Sequence, residues 1–137
     1  MDVYINDTSS FLPNNPVDND QIEDVLGMIN NIPSRVKRII LRSNGIQTRY
    51  YAIDSKTKQF THNNAQLTAE AIRKLKPYDH FDLSDIQLIT CGTTSTDLIA
   101  PGHALMVQGE LGISPCEAIS TAGICLSGVS ALKYGYM

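Results

Sequence analysis

The stretch Cys116-Glu-Ala-Ile-Ser-Thr-Ala-Gly-Ile-Cys125-Leu-Ser-Gly128 decides how this chain is read. Its first part reads as a buried strand, its middle as a tight turn of small residues, and a helix opens at Cys125. The first amides of a helix lack intrahelical partners, which gives that end partial positive charge. A thiolate placed there is stabilised, so the pattern predicts a thiol more acidic than the free value of roughly 8.5. The thiolate is the form that attacks an acyl thioester. The same pattern also fits a small buried apolar side chain, which free cysteines often are. On pattern alone both readings stand open.

Upstream of this block, Pro115 to Ser120 carries the strand. Pro101 suits the first turn of a preceding helix with Ala104, Leu105, Met106, Val107 and Leu111 on it, ended by Gly112. Asp85 to Cys91 is mostly apolar, which predicts a central strand, and Gly92 to Thr96 is a tight polar loop. That loop lacks the Gly-Lys-Ser/Thr ending of a phosphate loop. Asn63 or Asn64 is a cap for a helix through Ala65, Leu67, Thr68, Ala71, Ile72 and Leu75, stopped by Pro77.

Nearer the start, Val3-Tyr4-Ile5 is a short strand signal. Ile22, Val25, Leu26 and Ile29 have helical spacing, with Asn19 or Asp20 as cap candidate. Arg35 to Arg42 reads as a short helix broken at Asn44-Gly45, and Gln47 to Ile53 as an extended segment. At the other end Leu126 to Met137 begins an apolar helix with Val129, Leu132 and Tyr136. Strands alternating with helices predict an α/β fold with parallel βαβ units.

At 137 residues the chain is expected to form one domain with one core. Its net charge of −3 argues against a broad nucleic-acid surface. There is no basic region followed by a long apolar run at the start, and no stretch approaches the ~20 apolar residues that span a bilayer. Cys91, Cys116 and Cys125 are an odd count without metal-ligand spacing, so reduced thiols in a cytoplasmic protein are expected and no metal is. Cys91 and Cys116 sit in apolar strands and are expected in the core. Arg35, Lys37 and Arg38 read as a solvated face that could also meet an acidic carrier protein.

Three blocks in order resemble the N-terminal half of the ketoacyl-ACP synthase III family of thiolase-fold condensing enzymes. The first is Arg42-Ser-Asn-Gly45-Ile-Gln-Thr-Arg49, similar to the family's Arg-Thr-Gly-Ile-x-x-Arg. The second is Asp85 to Thr96 with Pro101, similar to its central strand and threonine-rich loop. The third is Cys116 to Gly128, similar to its nucleophile strand and Ala-Cys-x-Gly turn. The run from Ile39 to Asp54 is most similar to the type linked to aryl-polyene and resorcinol-type pigments.

The resemblance implies a thiolase-like N-terminal βαβαβα layer over residues 1–137, with a mostly parallel or mixed sheet and an absent C-terminal half. It implies an acyltransferase that uses Cys125 to take an acyl group from a thioester and condenses it with malonyl-ACP on decarboxylation. Acyl-CoA or acyl-ACP would be substrate, with no separate cofactor. Acyl carrier protein would be a partner, and the full-length protein a homodimer. Arg42 and Arg49 would contact the phosphate of CoA or of the carrier. Ala100, where short-starter members often carry Phe, would deepen the acyl pocket unless Leu98 or Ile99 fills it. Ile39 stands where many members stack a Trp on adenine, which makes an acyl-carrier donor more plausible.

The family's extender-binding His and Asn lie in its C-terminal half, and His62, His80 and His103 occupy no matching position. The expectation is a nucleophile half that does not condense by itself. Two other readings are an inert thiolase-like interaction module and an acyltransferase like thiolase or hydroxymethylglutaryl-CoA synthase.

Overall fold

A computed structural model describes residues 2–137. In chain order its elements are β1 (Val17–Asp18), α1 (Ile22–Leu26), α2 (Lys37–Asn44), β2 (Thr48–Arg49), α3 (Asn64–Ile72), a 3-10 turn at Leu83–Asp85, β3 (Leu88–Gly92), α4 (His103–Leu111), β4 (Glu117–Thr121), a 3-10 turn at Ile124–Leu126, and α5 (Ser127–Tyr136). They fall into two compact units. One is Asn64–Met137 together with the described residues up to Phe11, and the other is Leu12–Asn63.

The first unit is built on a parallel βαβ motif. β3 and β4 pair in parallel, with Leu88 opposite Glu117 and Gly92 opposite Thr121, and α4 connects them. Successive strand residues point to opposite faces. On one face Ile89 and Cys91 pack with Ala65 of α3 and with Ala104 and Val107 of α4. On the other face Thr90 donates its hydroxyl to the Ala131 carbonyl of α5 at 2.8 Å. The two-stranded layer thus has α3 and α4 on one side and α5 on the other, the α/β arrangement the sequence pattern implied.

α3 and α4 are each started by a side chain from elsewhere in the chain. The Asp97 carboxylate accepts from the amides of Asn64 and Ala65 at 2.9 Å each, so it caps α3. The predicted cap Asn64 is instead the first helical residue, and its side-chain amide donates to the Ser95 carbonyl at 2.7 Å. The Ser120 hydroxyl accepts from the Ala104 amide at 2.9 Å and caps α4. At the far end of α4, Gly112 takes the left-handed conformation at φ 65°, as the sequence predicts.

Three expectations are corrected in this unit. Val3-Tyr4-Ile5 is not a strand: no strand pairs with it among the described residues, and its side chains line an apolar cavity beside α5. α3 stops at Ile72 rather than Leu75, because the amides of Lys74 and Leu75 tighten into i→i−3 bonds ahead of Pro77. Asp85 belongs to a 3-10 turn, where it and Asp82 form a capping box, so the strand begins at Leu88.

The second unit is held more by polar loops than by a core. β1 and β2 are antiparallel, with Val17 opposite Arg49. Asp18 accepts from the Asp20 and Gln21 amides at 2.9 Å each, which sets the turn into α1. α1 covers five residues of the predicted span and ends at Gly27, with φ 84°. α2 ends at Gly45 in the left-handed conformation (φ 70°), the break the Asn-Gly pair predicts. It buries no residue, and Ile39 is 71% exposed. Glu23 pairs with Lys37 at 2.7 Å, and that hydrogen bond holds its carboxyl below the usual range. Of the extended segment predicted from Gln47 to Ile53, Thr48–Arg49 is strand, and Ile53 makes an isolated bridge to Phe60.

Candidate active site

Cys125 lies in the 3-10 turn between β4 and α5, and its side chain is exposed. The chain leaves β4 at Thr121, passes Ala122 and Gly123, and turns sharply at Ile124, whose φ is 50°. A β-branched residue in that left-handed region costs about 1–3 kcal/mol and persists only where its surroundings impose it. The surroundings here are hydroxyl groups.

The Ile124 carbonyl accepts from the Ser127 amide, from the Ser127 hydroxyl at 2.8 Å and from the Thr94 hydroxyl at 3.3 Å. The Thr121 hydroxyl lies 2.8 Å from the Ser127 carbonyl and 3.2 Å from the Cys91 carbonyl, tying the start of α5 to both strands. Gly92 ends β3 directly beneath this turn. A Cβ built there would lie 2.3 Å from the Ser127 carbonyl oxygen, so the backbones approach to a distance that only glycine permits. Among the described residues the Cys125 amide hydrogen has no acceptor.

The two other thiols are placed differently. Cys91 is buried, and burial pushes its pKa up to about 11. Cys116 is half-buried, with the Gln108 side-chain amide 3.4 Å from its sulfur. His103, at the start of α4, is 3% exposed, and its Nε2 lies 3.3 Å from the Thr68 hydroxyl. Leu98, Ile99 and Ala100 form an exposed loop between β3 and α4, with Ile99 fully open to solvent. Among the described residues no cluster of metal-ligating side chains occurs.

Arg42 and Arg49 belong to the second unit. Arg42 lines a cavity of about 680 Å³ with Asn19, Asp20, Lys37, Arg38 and Leu41. Arg49 donates to Asn19 at 2.6 Å and to the Ile46 carbonyl at 3.4 Å. Asn19, the partner of Arg49, lines the same cavity as Arg42.

The sequence reading placed Thr121 and Ser127 in the cysteine block without a bonding role, and it did not connect Gly92 and Thr94 with the turn. A glycine closing an apolar strand was the available signal for Gly92. No sequence spacing signals the Thr94 bond to Ile124 or the Thr121 bond to Cys91, each 30 residues away, whereas Ser127 bonds only three residues back to Ile124.

The fold is that of the thiolase-like condensing enzymes. Over 129 residues, 93% of its length, the chain is 30% identical to β-ketoacyl-[acyl-carrier-protein] synthase III of Neisseria gonorrhoeae. It is 26% identical over 94% of its length to the enzyme of the same name from Hyphomonas neptunium. A solved structure, the tetronic acid condensing enzyme AbyA1, superimposes with a TM-score of 0.74 at 28% identity, over 94% of this chain and 38% of that one. The chain is thus homologous to part of β-ketoacyl-ACP synthase III, and it spans 36% of the length of these curated relatives. No protein-family model matches it. No helix among the described residues is long and apolar enough to cross a membrane.

Proposed function

We propose that this chain is the nucleophile-bearing N-terminal part of a decarboxylating condensing enzyme, and that Cys125 takes an acyl group from a thioester. The Cys125 thiolate attacks the carbonyl carbon and a new carbon–sulfur bond forms. The carbonyl electrons move onto oxygen. When they return, the bond to the donor sulfur breaks, and the donor leaves as a thiolate that takes a proton from water. In the whole enzyme a malonyl group on a carrier protein would then lose CO₂, and its carbanion would attack the acyl-cysteine. What supports the reading is the likeness to ketoacyl-ACP synthase III across 93% of the chain, together with an exposed cysteine at the apex of a rigid turn. The helix-start amide of Cys125, which has no acceptor among the described residues, suits the developing oxyanion.

Acyl carrier protein is the donor this reading favours, since Ile39 offers no indole to stack on a nucleotide base. We also infer that the 137-residue chain takes an acyl group without condensing it. His103 is committed to the packing of α4 and is not placed as a proton donor at an exposed site.

Iodoacetamide labelling near neutral pH tests the nucleophile. Each cysteine is compared with its own rate in the urea-unfolded chain. Exposure alone can bring Cys125 up to its unfolded rate, whereas a stabilised thiolate carries it above. A native rate at or below the unfolded one would refute the nucleophile role and favour an inert interaction module. Ketoacyl product from the chain mixed with acyl-CoA and malonyl-ACP would refute its inability to condense.

A further inference from the structure

The Ile124 carbonyl and the Cys125 amide belong to one peptide unit. That unit is planar and trans, so its C=O and N–H point in opposite directions. Fixing the carbonyl therefore fixes the direction of the Cys125 N–H. Three donors converge on this carbonyl, two from Ser127 and one, the Thr94 hydroxyl, from the loop after β3. The loop is itself anchored, since Asp97 caps α3 and the Ser95 carbonyl accepts from Asn64. Donors on a carbonyl also polarise the peptide and strengthen its N–H as a donor.

We propose that Thr94 is a positioning residue which, with Ser127, aims the Cys125 amide at the oxyanion formed during acyl transfer. The inference rests on the acyl-transfer reading above. Thr94 does not touch the substrate in this scheme: it acts through the Ile124–Cys125 peptide. It should therefore influence reactions that build an oxyanion and leave those that do not.

The test uses two reagents on the whole chain. Butyryl N-acetylcysteamine is a thioester whose transfer to Cys125 passes through an oxyanion, followed by intact mass. Iodoacetamide alkylates the same sulfur by displacement at carbon, with no oxyanion. Removing a direct oxyanion donor typically costs 10²–10³-fold, so misaiming one through T94V is expected to slow acylation by about tenfold. The alkylation rate and the thermal midpoint should stay within twofold and about 2 °C of wild type, and T94S should restore acylation. Equal slowing of both reagents, or no slowing of acylation, overturns the positioning role. Absence of acyl-Cys125 in the wild-type chain overturns the acyl-transfer reading and the positioning role with it. Thr94 is exposed, and T94A carries the same comparison if the valine lowers the midpoint.

Discussion

Gly92 and Ser127 meet backbone to backbone: a Cβ on Gly92 would lie 2.3 Å from the Ser127 carbonyl oxygen and 2.4 Å from its carbon. This contact seats the first turn of α5, and with it the cysteine turn, on the end of β3. Neither partner is the flexible end of a side chain, so the clash must be relieved by moving the helix. G92A is expected to destabilise the chain by about 1–3 kcal/mol, the range for overpacking, and urea unfolding measures it. Gly128, one residue further, has open space where its Cβ would go. G128A is expected to be stabilising by about 0.5–1 kcal/mol through helix propensity. A neutral G92A would mean that the approach does not constrain the turn.

The loop between β3 and α4 is held by Asp97. Its two oxygens accept from the first two amides of α3 at 2.9 Å each. Losing such a cap costs typically about 1 kcal/mol, and here two amides lose their acceptor, so D97A is expected to cost about 1–2 kcal/mol. D97N keeps one acceptor oxygen and should cost less. Thermal unfolding of the pair gives the order, and D97A equal to wild type would show that water serves the helix end as well.

Much of the first unit was legible because its signals are local. The end of α4 was marked by Gly112, although Pro101 lies before the Gly102 cap rather than in the first turn, and β3 was marked by a mostly apolar run. Cys125 was found at the foot of α5 because a cysteine after small residues at a strand–helix junction is itself a signal. The caps were missed because Asp97 reaches back 33 residues to Asn64, and Ser120 reaches 16 residues to Ala104. Of the two local caps the sequence offered, Asn64 is instead the first helical residue, with its amide bonded to Asp97. Val3-Tyr4-Ile5 was misread for the same kind of reason: its apolar side chains serve a surface beside α5 rather than a ladder.

That surface has a consequence for behaviour in solution. Val129, Leu132 and Tyr136 of α5 are 61%, 63% and 69% exposed. With Val3, Tyr4 and Ile5 they line an apolar hollow of about 550 Å³. Exposed apolar area of this kind drives association. The chain is expected to elute from a sizing column larger than a monomer, with an apparent mass that rises with concentration. L132K should shift it toward the monomer by placing a charge in the hollow. A monodisperse wild-type monomer at all concentrations would contradict this.

His103 makes the chain sensitive to acid. Its ring is 3% exposed, and the Thr68 hydroxyl 3.3 Å from Nε2 also lies 2.9 Å from the Asn64 carbonyl. The Thr68 hydrogen goes to that carbonyl, so Nε2 carries the ring proton and donates to Thr68, which leaves Nδ1 as a bare acceptor. Nδ1 is buried with no partner among the described residues. Protonating it would bury an unpaired N–H beside the positive end of α4. Burial accordingly lowers the His103 pKa, opposed in part by the charge of Asp97. Because the folded state resists the proton, the unfolded chain binds more of it once the pH drops below the ordinary histidine value of about 6.5. Stability from this group is complete above that value and is lost as the pH falls toward the lowered folded pKa. Carboxylates elsewhere in the chain titrate over part of the same range, so the comparison is with H103Q, whose amide can still donate to Thr68 but cannot gain a charge. Urea midpoints at pH 7.5 and 5.0 should fall further for wild type than for H103Q, and an equal fall in both would remove His103 as the cause.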